Sequence, residues 1–129
     1  MRETKNEVLM RVVELSKKFS VKTGFLQKKS FYAVDDVSFS IMQGKIYGLV
    51  GESGCGKSTL CSNILLLDQP TSGTIYFKEN VIDAKMKSAV KNFRKEVQMI
   101  FQDPYASIDP RMKIKDIVAE PMRTHKMYK

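Results

Sequence analysis

Residues 51–58 read Gly-Glu-Ser-Gly-Cys-Gly-Lys-Ser, and no other stretch of the chain restricts its fold as strongly. The octet satisfies G-x-x-x-x-G-K-[ST] at Gly51, Gly56, Lys57 and Ser58. Glycines let a backbone take positive φ and turn successive N–H groups inward. Such a loop at a helix N-terminus is an anion site. In this pattern Lys57 puts a cation on the β- and γ-phosphates of a nucleotide, and Ser58 offers a hydroxyl to Mg2+. Thr59 adds a hydroxyl for a phosphate nearer the sugar, and Glu52, Ser53, Gly54 and Cys55 complete the loop. The pattern requires a strand before it and a helix after it. Residues 46–50, with Ile46, Tyr47, Leu49 and Val50, read as a short apolar strand. Leu60, Ile64 and Leu67 fall at helical spacing. A chance match in a chain of this length has a probability of roughly half a percent.

The rest of the chain alternates short strands and helices. Residues 8–15 are rich in Val and Leu and predict a strand, and residues 16–30 hold Ser, Lys, Thr, Gly and Gln and predict a loop. Residues 33–41 set Val37, Phe39 and Ile41 on one side and Ser38 and Ser40 on the other, the period of a half-buried strand. Residues 74–78 and 97–101 predict strands, and the Lys-rich residues 84–95 predict a helix. A loop with Asp103, Pro104, Asp109 and Pro110 follows. Ile114, Ile117 and Val118 then open a helix that Pro121 should kink or end. Residues 64–68 imitate the apolar run with a metal-holding Asp that accompanies such loops. Asp68, however, lies in the helix that the loop launches and is followed by Gln69, so it reads as structural.

Length suits one domain at most. No run of 18 apolar residues is present, and the charged residues among the first twenty exclude a signal peptide. The net charge is +8, which suits nucleic acid or an anionic membrane surface. The lysines are scattered along the sequence rather than striped, so they read as a solvated surface. Cys55 and Cys61 fit neither a metal-ligand spacing nor a disulfide framework, and a reducing, cytosolic compartment is the default.

Three segments carry a family resemblance. AVDDVSFSIMQGKIYGLVGESGCGKST, LDQPTSGTIYF and VQMIFQDPYASIDPRM resemble the nucleotide-binding domains of ABC transporters. The third, with Ile117, Glu120 and Pro121 after it, resembles the ATP-binding subunits of oligopeptide/dipeptide (and nickel) importers, and the likeness runs over nearly all of residues 8–121. It implies an α/β fold of the P-loop NTPase class with an N-terminal antiparallel β-subdomain. Residues 1–129 would be the N-terminal part of one such domain, with the P-loop at 51–59 and the Q-loop around 102–111. It implies ATP and Mg2+ as ligands. Gln102 then matches the Q-loop glutamine, which contacts Mg2+ or the attacking water and couples the site to the membrane subunit, while Gln98 is structural. Phe19 stands where an aromatic stacks on adenine, with Phe31 and Tyr32 as alternatives. The implied partners are transmembrane permease subunits and a second ATP-binding subunit, the same or a paralogue, and no nucleic acid. The implied location is peripheral, on the cytoplasmic face of the cell membrane.

The family pattern also calls for a helical subdomain, a signature motif like Leu-Ser-Gly-Gly-Gln, and a Walker B strand with its catalytic glutamate. None of these occurs in the 129 residues, so a truncated domain is expected. The family's catalytic histidine lies far downstream of the Q-loop, so His125 is expected to be a surface residue. A fragment that binds nucleotide without turnover is the alternative to an enzyme part. A P-loop kinase is disfavoured by the Q-loop resemblance.

Overall fold

In the computed structural model, which describes residues 7–22, 28–103 and 108–127, the first strand organises everything else. Strand β1 (Val8–Lys22) pairs antiparallel with β2 (Lys28–Met42) on one side and with β3 (Ser72–Phe77) on the other. A two-residue strand, β4 (Asn80–Val81), extends the sheet to the order β2-β1-β3-β4. Three helices complete the described chain: α1 (Lys57–Ile64), α2 (Lys87–Glu96) and α3 (Ile114–Thr124).

Met10, Val12 and Leu15 of β1 all enter the core, although the step from 12 to 15 breaks the strand's period of two. The chain solves this with a bulge. Glu14 takes φ 51°, the pairing register shifts between Val12 and Leu15, and the freed Glu14 N–H donates to Ser38 Oγ at 2.8 Å. Val34, Ile75 and Phe77 from the neighbouring strands, Leu60 and Leu66 from the α1 region, and Phe93 of α2 close the core. Phe93 meets Phe77 edge to face, with ring centroids 5.2 Å apart. Arg94 clips the same helix to the turn after α1 by donating to the Leu66 carbonyl at 2.8 Å.

Ser16 stitches three segments. Its hydroxyl accepts from the Asp36 N–H at 2.9 Å, and its carbonyl accepts from the Thr71 N–H at 2.8 Å. Beside it β3 crosses so closely that a Cβ at Gly73 would lie 2.5 Å from Leu15 Cα and 2.6 Å from the Glu14 carbonyl oxygen. Gly73 also has φ 95°, which only glycine takes without strain.

Several sequence expectations need correction. Residues 16–22 and 28–30 are strand, not loop; β1 and β2 run on as a two-stranded arm, and residues 23–27 of the expected loop lie outside the described residues. Residues 46–50 and 97–101 are not strands. An apolar stretch becomes a strand only when a ladder partner satisfies its backbone, and neither stretch has one among the described residues. Ile46 is 101% exposed, Val50 92% and Ile100 94%. Helix α1 ends at Ile64, short of the expected Leu67, because Leu66 turns the chain with φ 53°. Asp68 therefore lies past the helix, where its carboxylate pairs with Lys17 Nζ at 2.7 Å, in keeping with a structural role. Pro121 lies inside α3 instead of ending it, so the missing N–H costs a hydrogen bond and the helix continues to Thr124. Ahead of α3, Asp109 accepts from the Arg111 side chain and backbone, and that guanidinium holds its carboxyl below the usual carboxylate range.

Replacing Gly73 by Ala should lower stability by about 2 kcal/mol or more, since strain at positive φ alone is worth roughly 1–3 kcal/mol. A urea titration checks this, and an unchanged midpoint would show that β3 can move away from β1.

Candidate phosphate-binding site

Helix α1 starts at Lys57 with Gly56 as its N-cap, and Gly56 has φ 96° and ψ 3°. A Cβ at that position would lie 2.1 Å from the carbonyl oxygen of Ala33 in β2. Only glycine permits this approach, so the end of the loop rests directly on the backbone of the sheet. Leu60 and the fully buried Asn63 fix the helix behind it, and Asn63 Nδ2 donates to the Asp68 carbonyl at 3.0 Å. The first N–H groups of α1 have no side-chain cap. They form the positive end of the helix dipole.

Lys57 folds back across the loop. Its Nζ donates to the carbonyl oxygens of Gly51 at 2.7 Å and Glu52 at 2.5 Å, and lies 3.5 Å from Cys55 Sγ. Within the loop, the Cys55 N–H donates to the Glu52 carbonyl at 3.3 Å. The ammonium thus bonds two neutral carbonyls and no carboxylate among the described residues. A phosphate oxygen is a stronger partner for it than either.

An open pocket of about 410 Å3 lies over this loop. Ser53, Gly54, Gly56, Lys57, Ser58 and Thr59 line one side, and Phe19, Phe31 and Ala33 line the other. Phe19 and Phe31 are directly opposite each other across β1 and β2, with centroids 5.9 Å apart and planes tilted by 36°. Tyr32 pairs with Lys18, one position along, and therefore stands on the other face of the arm. The geometry gathers Phe19, Phe31 and the loop into one pocket and leaves Tyr32 out. Phe31 was visible in the sequence only as an alternative, because pairing through an unforeseen strand is what brings it there. Ala33 was not visible at all; its carbonyl matters rather than its side chain.

Gln102 is not part of this lining. It is exposed, in the irregular stretch that follows α2. Gln98 caps that helix by donating to the Arg94 carbonyl at 2.8 Å. His125, expected on the surface, is partly buried, and its Nδ1 has no partner among the described residues. It lines a groove of about 480 Å3 beside α2, with Lys87, Lys91 and Arg94. That groove is larger than the one over the loop, so the donor set, not volume, selects the site. No group of three or more His, Cys, Asp or Glu side chains that could hold a metal occurs among the described residues.

The profile of the ABC transporter family matches residues 34–129. The chain belongs to the ABC transporter family. This ABC chain is 40% identical over 131 residues to the oligopeptide transport ATP-binding protein AppF of Bacillus subtilis, covering 99% of the chain and 40% of that protein. It is 40% identical over 119 residues to the dipeptide transport ATP-binding protein DppF of Haemophilus influenzae, covering 91% of the chain and 36% of that protein. The ABC chain thus spans about 40% of the length of such relatives. A dimeric ATP-binding cassette solved in a post-hydrolysis state with ADP and Pi superposes with a TM-score of 0.75 at 24% identity, over 90% of the ABC chain and 47% of the cassette. The fold is therefore that of a P-loop NTPase of the ABC nucleotide-binding-domain type, and its antiparallel sheet is the expected β-subdomain.

Cys55 is exposed and Cys61 partly buried, one turn inside α1. A maleimide should therefore label Cys55 first, and MgATP should slow that labelling by covering the loop. Peptide mapping that finds Cys61 labelled first, or no protection, would contradict this placement.

Proposed function

We propose that the chain is the nucleotide-binding part of an ATP-binding subunit that energises peptide import by an ABC transporter. The observation that carries this reading is the uncapped N-terminus of α1, seated on β2 at Gly56, with the Lys57 ammonium held by exchangeable, uncharged groups of the loop. This arrangement fits a polyphosphate. Backbone N–H groups of residues 54–59 surround its oxygens, Lys57 leaves the carbonyls of Gly51 and Glu52 for them, and Phe19 and Phe31 offer ring faces to the base. The exposed Ser58 fits Mg2+ as a hydroxyl ligand, with Gln102 approaching from the stretch after α2. Mg2+ when bound neutralises charge on the phosphates.

The names of the relatives support the rest of the reading. Those proteins are called oligopeptide and dipeptide transport ATP-binding proteins. We infer the same cargo class here, with permease subunits and a second ATP-binding subunit as partners. No helix among the described residues is long and apolar enough to cross a membrane, and in this reading the subunit sits on the cytoplasmic face through its permease.

Calorimetric titration tests the site. Lys57→Ala should lose most of the MgATP affinity while the fold persists, because the lysine contacts loop carbonyls and not the core. Equal binding by both forms would overturn the assignment.

Turnover is a separate matter. No carboxylate side chain lines the pocket among the described residues, so none of its lining groups is a base for an attacking water. A single missing transition-state donor costs about 3–4 kcal/mol of barrier. The stretch of residues 1–129 by itself should bind ATP yet release no phosphate above the Lys57→Ala background, and steady release above that background would reveal a base outside the pocket.

A further inference from the structure

Between Glu14 and Asp35 the chain carries five lysines and no carboxylate. In sequence they look scattered, but the pairing of β1 with β2 sorts them. Ser16 is the last residue of β1 that β3 pairs with, so beyond it the two strands form an arm with no third strand among the described residues. The arm's register is regular from Lys18↔Tyr32 to Lys22↔Lys28. Because side chains alternate across a strand, 18, 20 and 22 share a face with 32, 30 and 28. Ring and hydroxyl contacts agree: Lys18 Nζ sits 5.3 Å from the Tyr32 ring centroid, and Ser20 Oγ lies 3.2 Å from Ser30 Oγ. The opposite face carries Phe19 and Phe31 toward the loop pocket.

This outer face is therefore Lys18, Ser20, Lys22, Lys28, Ser30 and Tyr32, all exposed. None of its lysines enters an ion pair among the described residues. Lys22 and Lys28 are directly opposite each other, a like-charge cross-strand pair that destabilises a ribbon. A two-stranded arm is marginal on its own, so the arrangement works against the arm's stability unless an anionic surface covers it.

We propose that this face docks on acidic phospholipid headgroups. The face lines none of the five best-formed pockets among the described residues, which suits a broad anionic surface more than a small ion. Its charges are lysines, point charges that attract phosphate without the planar fork used to read bases. Each lysine near an anionic leaflet adds favourable energy within a Debye length. Tyr32 has the amphipathic ring that settles at headgroup level. The surface is distinct from the nucleotide pocket and does not depend on the reading of that pocket.

Sedimentation of the purified protein with protein-free vesicles tests this. Vesicles of phosphatidylcholine with phosphatidylglycerol should bind it, phosphatidylcholine alone should not, and added salt should release it. Lys22→Glu with Lys28→Glu should weaken vesicle binding by more than about tenfold and leave ATP affinity unchanged. Lys113→Glu with Lys115→Glu, the same change in net charge elsewhere, should have a much smaller effect. If the reversed arm fails to fold, Lys22→Gln with Lys28→Gln should still weaken binding while Lys22→Arg with Lys28→Arg preserves it. The proposal is overturned by unaltered vesicle binding of the arm variants, by equal loss in the Lys113/Lys115 pair, or by binding to duplex DNA that exceeds vesicle binding and is lost with the same arm substitutions.

Discussion

The carbonyl oxygen of Ala33 occupies the space that a side chain at residue 56 would need. Everything that could bind a phosphate depends on that contact. It sets the first turn of α1 against β2, fixes where its free N–H groups point, and places the loop under Phe19 and Phe31. A Cβ at 56 would stand 2.1 Å from that oxygen, so any larger residue would push the start of the helix away from the strand. The glycine in the motif thus serves the sheet and, in the proposed reading, the ligand as well.

Charge is arranged around this contact with some economy. Lys17 is tied to Asp68 and to the Gln69 carbonyl, so the chain leaving α1 is held to β1 behind the pocket. Lys57 is left with the carbonyls of Gly51 and Glu52 and the Cys55 sulfur, all of them neutral groups of its own loop. One ammonium has a fixed structural partner and the other has partners it can leave. That difference separates a lysine that holds the fold from one suited to a ligand.

The octet at 51–58, its helix, and the alternation of Val37, Phe39 and Ile41 were legible because each is a local signal: φ demands, 3.6-residue spacing and a period of two. What could not be read was whatever depends on a distant partner. Residues 46–50 and 97–101 have strand composition but no neighbouring ladder. Residues 16–22 and 28–30 have loop composition and form strands because β1 and β2 pair along this stretch, from Lys17↔Val34 to Lys22↔Lys28. The place of Phe31 in the pocket followed from that same pairing. Gly73 gave only a turn signal in the sequence, although its main constraint is the closeness of Leu15 and Glu14. Gln102 entered through resemblance alone, and its exposed position is no substitute for a contact.

The unpaired stretch before the loop has a further consequence. Residues 48–50 make no hydrogen bond among the described residues, whereas the far end of the loop joins α1 on the sheet. Amide exchange would therefore run fast on one flank of the loop and slow on the other, in the manner of adjoining units of unequal local stability. A ligand that touches both flanks must quiet the faster one. Part of its intrinsic affinity would go into that ordering, and an additional strand laid along residues 46–50 would tighten binding without touching the ligand.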